Sequence, residues 1–315
     1  MRLGDRTDAI TLFERVLLMH IEDGNAGVQI LTDLRNLATS CSKAVRFCLD
    51  EVTRVATELL GDAEDGFLYS QSLLDKRLSI GDLAGAEREW AEIEKLPRPT
   101  SRLTYRPGDA ECSGAWLLLY QGRLSEAFLE SAERIAIEGN NRFSMRELCA
   151  LRGEWKLSLG ESAEAADAFE EYIRMTREAD IDASREEALL AIAQSGMGRT
   201  DQAREAAERL SALGNPPHVV LAEVFLALGD VEKARHRVIP GYDAAWGEGA
   251  PYVHWWDLQR CRKVLAALGD PEPVLAPFDP STIKPFSWDP KLREYLEKVR
   301  KEKEKEQREQ AGSAE

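Results

Sequence analysis

The stretch Gly160-Glu-Ser-Ala-Glu-Ala165-Ala-Asp-Ala-Phe169-Glu-Glu-Tyr172 decides the fold. A glycine closes one apolar-periodic segment, a small alanine follows five residues later, and bulky residues stand four and seven positions beyond that alanine. Residues at that spacing share one face of a helix. Glycine lets the chain leave the preceding helix in a left-handed conformation that costs a residue with a Cβ energy. The alanine is small because two antiparallel helices cross closely there. The stretch reads as the elbow and second helix of a helical hairpin.

The same punctuation recurs along the chain. It appears as Gly4…Ala9, Phe13, Val16; as Gly81…Ala86, Trp90, Ile93; as Gly198…Ala203, Ala207, Leu210; and more loosely as Gly122…Ala127 and Gly229…Ala234. Thr39…Ala44, Cys48 has threonine in the glycine position, and Gly269…Val274 is a degenerate last copy. Successive elbows at 4, 39, 81, 122, 160, 198, 229 and 269 are 31 to 42 residues apart. That period marks a helical-repeat array, in which each hairpin buries its apolar stripe against its neighbours. No strand-like alternation of any length competes, so the expected fold is all-α.

Gly-x-x-x-x-Ala between two helices at this period resembles the tetratricopeptide repeat (TPR), over roughly residues 4–269, with Gly153, Ala191 and Ala222 as the small residues of the first-helix crossings. The long period is similar to the TPR regions at the C-terminal ends of bacterial STAND-type signalling ATPases. The segments Gly241-Tyr-Asp-Ala-Ala-Trp246, Trp255-Trp256 and Pro277-Phe-Asp-Pro280 resemble the closing part of such arrays. The resemblance implies an α-solenoid of stacked antiparallel hairpins, a right-handed superhelix whose concave groove binds a protein or peptide. Groove contacts in that family come from first-helix positions ten and six residues before the elbow. Here those are Gln71 and Asp75, Cys112 and Trp116, Ala150 and Glu154, Ala188 and Ile192, Val219 and Glu223, and Gln259 and Lys263. Gln71, Asp75, Trp116, Glu154, Glu223, Gln259 and Lys263, with His254, form the candidate partner-binding set. Their mixed acidic and apolar character suits a basic and apolar segment. Charge reversal at Asp75, Glu154 and Glu223 is expected to weaken capture and leave helicity unchanged.

Three segments are expected: the array over 1–270, a proline-rich extended piece over 271–290, and a charged helix and tail over 291–315. Six of the thirteen prolines fall in 271–290, so the chain there is read as extended, with Leu275, Phe278, Ile283, Phe286 and Trp288 lying against the last hairpins. Asp289-Pro290 then opens a helix with Leu292, Tyr295, Leu296 and Val299 on one stripe. Pro97–Gly108 reads as an extended loop. The chain opens on a second helix, Thr7–Ile21, with no first helix before it. On this ground a role as sensor or regulatory arm of a signalling ATPase or protease, in cis or in trans, stands beside that of a free-standing binder.

The 315 residues carry 41 Lys and Arg against 56 Asp and Glu, a formal charge of −15. That field repels phosphate backbones and anionic lipid, so neither nucleic acid nor membrane is an expected partner. No apolar stretch reaches the length that spans a bilayer, and the first residues lack a signal-peptide pattern, so the expected address is the cytoplasm. Cys41, Cys48, Cys112, Cys149 and Cys261 form no Cys-x-x-Cys pair and read as small buried apolar groups. The chain has no Gly-x-x-x-x-Gly-Lys-Ser/Thr loop, no Gly-x-Ser-x-Gly and no His-Glu-x-x-His. No cofactor, metal or catalytic activity is therefore expected. His254 and Asp257, one helical turn apart, read either as a polar anchor or as packing at the base of a closing hairpin. Tyr242, Trp246, Tyr252, Trp255 and Trp256 read either as a binding hot spot or as core filling.

Overall fold

The computed structural model describes residues 3–24, 27–100 and 105–312. Residues 101–104 of the expected Pro97–Gly108 loop, and the side chain of Thr39, lie outside the described residues. Every regular element among the described residues is helical. In order these are α1 (Leu3–Asp23), α2 (Gly27–Ser40), α3 (Lys43–Leu60), α4 (Ala63–Ile80), α5 (Leu83–Lys95), α6 (Asp109–Tyr120), α7 (Glu126–Glu138) and α8 (Arg142–Ser158). There follow α9 (Ser162–Arg177), α10 (Ser184–Gly196), α11 (Thr200–Ser211), α12 (His218–Ala227), α13 (Val231–Trp246), α14 (Trp255–Leu268), a 3-10 turn at Pro280–Thr282 and α15 (Asp289–Gly312). The protein is all-α.

The chain forms two compact units, one of Met1–Leu73, Ala91–Thr100 and Asp279–Glu315, the other of Leu74–Trp90 and Ser101–Phe278. In the first, α1 packs on α2, α2 on α3, and α15 on both α1 and α3. Its core holds Leu17, Ile30, Leu34, Leu49, Trp288 and Leu292. Phe286 stacks on Trp288 with ring centroids 4.9 Å apart. Around this core His20 Nδ1 lies 2.6 Å from Asp33, and Lys291 lies 2.7 Å from Glu22.

The second unit contains the repeated elbows. Gly81, Gly122, Gly160, Gly198, Gly229 and Gly269 all have φ between 67° and 79°. At each, the residue after the glycine donates to a carbonyl five positions back: Asp82 to Arg77, Arg123 to Leu118, Glu161 to Lys156, Arg199 to Gln194, Asp230 to Phe225 and Asp270 to Leu265, at 2.8–3.0 Å. This is the hydrogen bond that closes a helix whose last turn ends in a left-handed residue. Side-chain caps start several of the following helices: Ser125 accepts from Phe128, Asn141 from Ser144 and Asp230 from Lys233. Ala86, Ala165, Ala203 and Ala234 are fully buried at the crossings, as are Phe169 and Ala207 four residues on from Ala165 and Ala203. Consecutive helices from α6 to α14 pack on one another, and α6 also meets α8, α8 meets α10, α10 meets α12 and α12 meets α14.

Several copies of the punctuation differ from the expectation. Gly4 lies inside α1 and makes no elbow. Ala127 is exposed, because the loop after Gly122 is two residues longer and brings Leu129 to the fourth position of α7, where it is buried. Cys48 is exposed and Leu49 takes the packing position beside it. Val274 is 99% exposed, and no helix follows Gly269 until the 3-10 turn, because the prolines remove the amides a helix needs.

The two halves of 271–290 also part company. Tyr242 donates to Glu272 (2.9 Å), Trp246 Nε1 to the Ala276 carbonyl (2.8 Å), and Tyr252 meets Phe278 edge-on at 4.9 Å. Phe286 and Trp288 instead belong to the core of the first unit. Trp288 is the largest fully buried side chain among the described residues.

Candidate interaction site

Four first-position helices of the second unit bring ionic side chains together. Glu154 on α8 is 5% exposed. Its Oε2 accepts from Trp256 Nε1 at 2.9 Å and from Arg260 at 3.0 Å, both on α14. Its Oε1 lies 2.9 Å from Arg185 on α10. Arg260, 8% exposed, also pairs with Glu223 on α12. Burial by itself would raise the Glu154 carboxyl, but Arg185 and Arg260 outweigh it and hold the group below its usual range. Arg185 is the half-open member, with Glu186 at 3.6 Å and Asp257 at 3.9 Å.

Aromatic rings extend this network to α6. Tyr120 on α6 lies 4.5 Å from Trp256 and 5.3 Å from Trp255, and Trp116 lies 5.5 Å from Tyr120. Burial, then the Glu154 charge, pushes the Tyr120 phenol up. Trp255 also rests on the Gly81 elbow, where any Cβ would strike its indole. These rings fill space between helices of the unit. Of the two readings open for the Trp255–Trp256 pair, this placement matches packing.

The candidate residues are thus placed unequally. Trp116, Glu154 and Glu223 meet in one cluster whose other half is α14 of the same chain. With its amide oriented to satisfy both donors, Gln259 accepts from Trp255 Nε1 (3.2 Å) and Arg262 (3.0 Å). Lys263 is exposed, its ammonium 5.8 Å from the Trp256 ring centroid, and His254 is exposed at the N-cap of α14. Gln71 lies in the first unit and is half-buried. Of the positions ten before an elbow, Cys112, Ala150 and Ala188 are core. The expectation that charge reversal at Glu154 leaves the fold intact does not survive this geometry, since a cation there would face two buried arginines.

Asp75 is different. The residue is exposed overall, but its carboxyl meets the buried Ser113, whose Oγ donates to it at 2.5 Å, and it pairs with no cation among the described residues. Desolvation by the surrounding protein pushes its carboxyl up to about 6, against the Ser113 hydrogen bond and with help from Asp109. Glu147 and Glu186 are likewise raised by burial.

Arg260, Arg185 and Tyr120 escaped the sequence reading. Arg260 stands four residues after Trp256, on the same helical face, and that spacing was the available signal. Among the described residues no group of three or more His, Cys, Asp or Glu is arranged to hold a metal, and no helix is long and apolar enough to cross a membrane. None of the five cysteines is in a disulfide; Cys41, Cys112 and Cys261 are buried, and burial pushes Cys261 up to about 12 and Cys149 to about 11. No family model, curated protein or solved structure matches the chain.

Proposed function

We propose that the protein is a non-catalytic interaction scaffold of the cytoplasm, a TPR-like solenoid whose first helices hold a basic and apolar segment of a partner protein. The repeated elbow, with one glycine conformation and one closing hydrogen bond at six places, supports the solenoid reading. So does the packing of alternate helices from α6 to α14. The observation that carries the partner chemistry is Asp75. A carboxylate that is open to solvent, holds Ser113 on one side and has no cation among the described residues gains from a lysine or arginine brought to it. Glu154 and Glu223 contribute differently, as partners of Arg260 that fix α14 against α8 and α12.

The test titrates the intact protein with a lysine-rich amphipathic peptide, with and without Asp75→Asn. Asparagine keeps the bond to Ser113 and loses the charge, so affinity is expected to fall about fivefold or more. Binding by the native protein is expected to weaken likewise as pH drops through about 6, where Asp75 takes a proton. Equal affinity of the two proteins at pH 7 removes Asp75 and the basic-partner reading together.

A further inference from the structure

A second surface of the same unit has the opposite chemistry. Asn141 caps α8, and the helix then presents Arg142, Phe143 and Arg146 within its first five residues. The Arg106 guanidinium lies 4.9 Å from the Phe143 ring centroid and that of Arg146 lies 5.4 Å from it. Arg146 is also 5.9 Å from the Tyr172 ring, so its guanidinium sits between two aromatic faces. Phe143 is 43% exposed despite these neighbours.

Two of the three arginines are poorly matched by carboxylates. Arg106 pairs with Asp109 at 2.9 Å. Arg142 is exposed and enters no ion pair among the described residues. The Arg146 side chain is only 12% exposed, yet among the described residues its Nε has no hydrogen-bond partner and its one ion pair is a long one, 3.7 Å to Glu147. Glu147 is itself raised by burial, which weakens it as a counter-ion. A guanidinium this desolvated ordinarily finds a bidentate acceptor, because an unsatisfied buried charge is costly. In a chain of charge −15, Arg106 and Arg146 flank one ring and Arg142 stands one helical turn before Arg146 on the same face, so that with Asp109 and Glu147 counted the patch keeps a cation in excess.

We propose that Arg106, Arg142, Phe143 and Arg146 form a binding site for a phosphoryl group. The Arg146 fork takes two phosphoryl oxygens, Arg106 and Arg142 balance the rest of the dianion, and the Phe143 face shields the contact from water. A carboxylate would need only one of these cations; the dianion uses all three. The phosphoryl group comes either from a free phosphate ester or from a phosphorylated side chain of a protein. Nucleic acid is the disfavoured source, since the field of the whole chain opposes a polyanion.

Calorimetric titration of the protein with inorganic phosphate, phenyl phosphate, acetate, a phosphoserine peptide, its unphosphorylated form and a single-stranded oligonucleotide tests the site. Saturable binding of phenyl phosphate is expected, about tenfold weaker in Arg146→Gln and about three- to fivefold weaker in Arg142→Gln. It should also weaken below about pH 6, where phosphate loses its second charge. A phosphoserine peptide that binds at least tenfold better than inorganic phosphate identifies a phosphorylated protein as the source; equal binding identifies a small ester. Because Arg142 is exposed, its variant folds whatever Arg146→Gln does, and the melting curve of each is taken alongside. The proposal is overturned if both variants bind as the native protein does. Acetate competing as well as phosphate, a single-stranded oligonucleotide binding more tightly than the peptide, or no saturable binding up to about 10 mM ligand would each overturn it too.

Discussion

Glu154 and Asp75 are two carboxylates of one unit whose charges act on stability with opposite sign. Glu154 has its folded carboxyl below the ordinary 4.5, so it contributes stability above that pH and loses it as acid protonates the group. Asp75 stands at about 6 against an ordinary 3.8, so the folded state holds its proton longer than the unfolded chain. Its charge therefore costs stability, in full above about pH 6 and not at all below about 4. Urea titration at several pH values separates them. Asp75→Asn should be more stable than the native protein at pH 7 and equal to it near pH 4, and a loss at pH 7 contradicts the desolvated carboxylate. Arg260→Met leaves Glu154 and Glu223 without their shared cation inside the unit and is expected to cost about 3–5 kcal/mol, read as a lower urea midpoint. A change under 1 kcal/mol would mean that water already satisfies Glu154.

Hairpins of the second unit are set by two kinds of glycine, and substitution distinguishes them. Gly153 lies in α8, where an added Cβ would sit 2.5 Å from the buried ring of Phe169 on α9. Alanine there gains helix propensity of under about 1 kcal/mol and loses more to the clash, so Gly153→Ala should destabilise by about 1–3 kcal/mol. Gly160 has φ 78° and nothing within 4 Å of an added Cβ. Gly160→Ala should therefore cost only the left-handed backbone penalty, about 1 kcal/mol. Equilibrium unfolding of the pair gives both numbers, and the reverse order would place the close crossing elsewhere. The elbows and the faces of the helices they join were legible in the sequence, because both follow from spacing and backbone geometry within one segment. Ala127, Cys48 and Val274 were misplaced because one or two residues of loop, or a proline beyond it, rotate a whole face; the pattern records the period and not the phase.

At the scale of the molecule, each unit has its own core, and the first takes its core from both ends of the chain. Trp288 and Leu292 pack among residues of α1, α2 and α3. Trp288→Ala should cost about 3–5 kcal/mol in that unit. Hydrogen exchange is expected to accelerate in α1–α3, while α8–α13, whose core lies within the second unit, keep their protection. Uniform loss across all helices would mean that the two cores unfold as one. The candidate site was only partly visible beforehand for the same reason. Asp75 could be found by counting back from Gly81, whereas the union of Glu154 with Arg260 spans about a hundred residues.

By itself the sequence determined the helical class, the six glycine elbows from Gly81 to Gly269 and the acidic balance of the chain, since helix periodicity, left-handed backbone and net charge are local or additive properties. Only the tertiary structure decided that α14 turns its tryptophans and Arg260 onto Glu154, that Trp288 joins the N-terminal helices, and that Arg106 and Arg146 flank Phe143. Those are matters of which surfaces meet, and burial strengthens a charge or an aromatic ring only after the chain has brought its distant parts together.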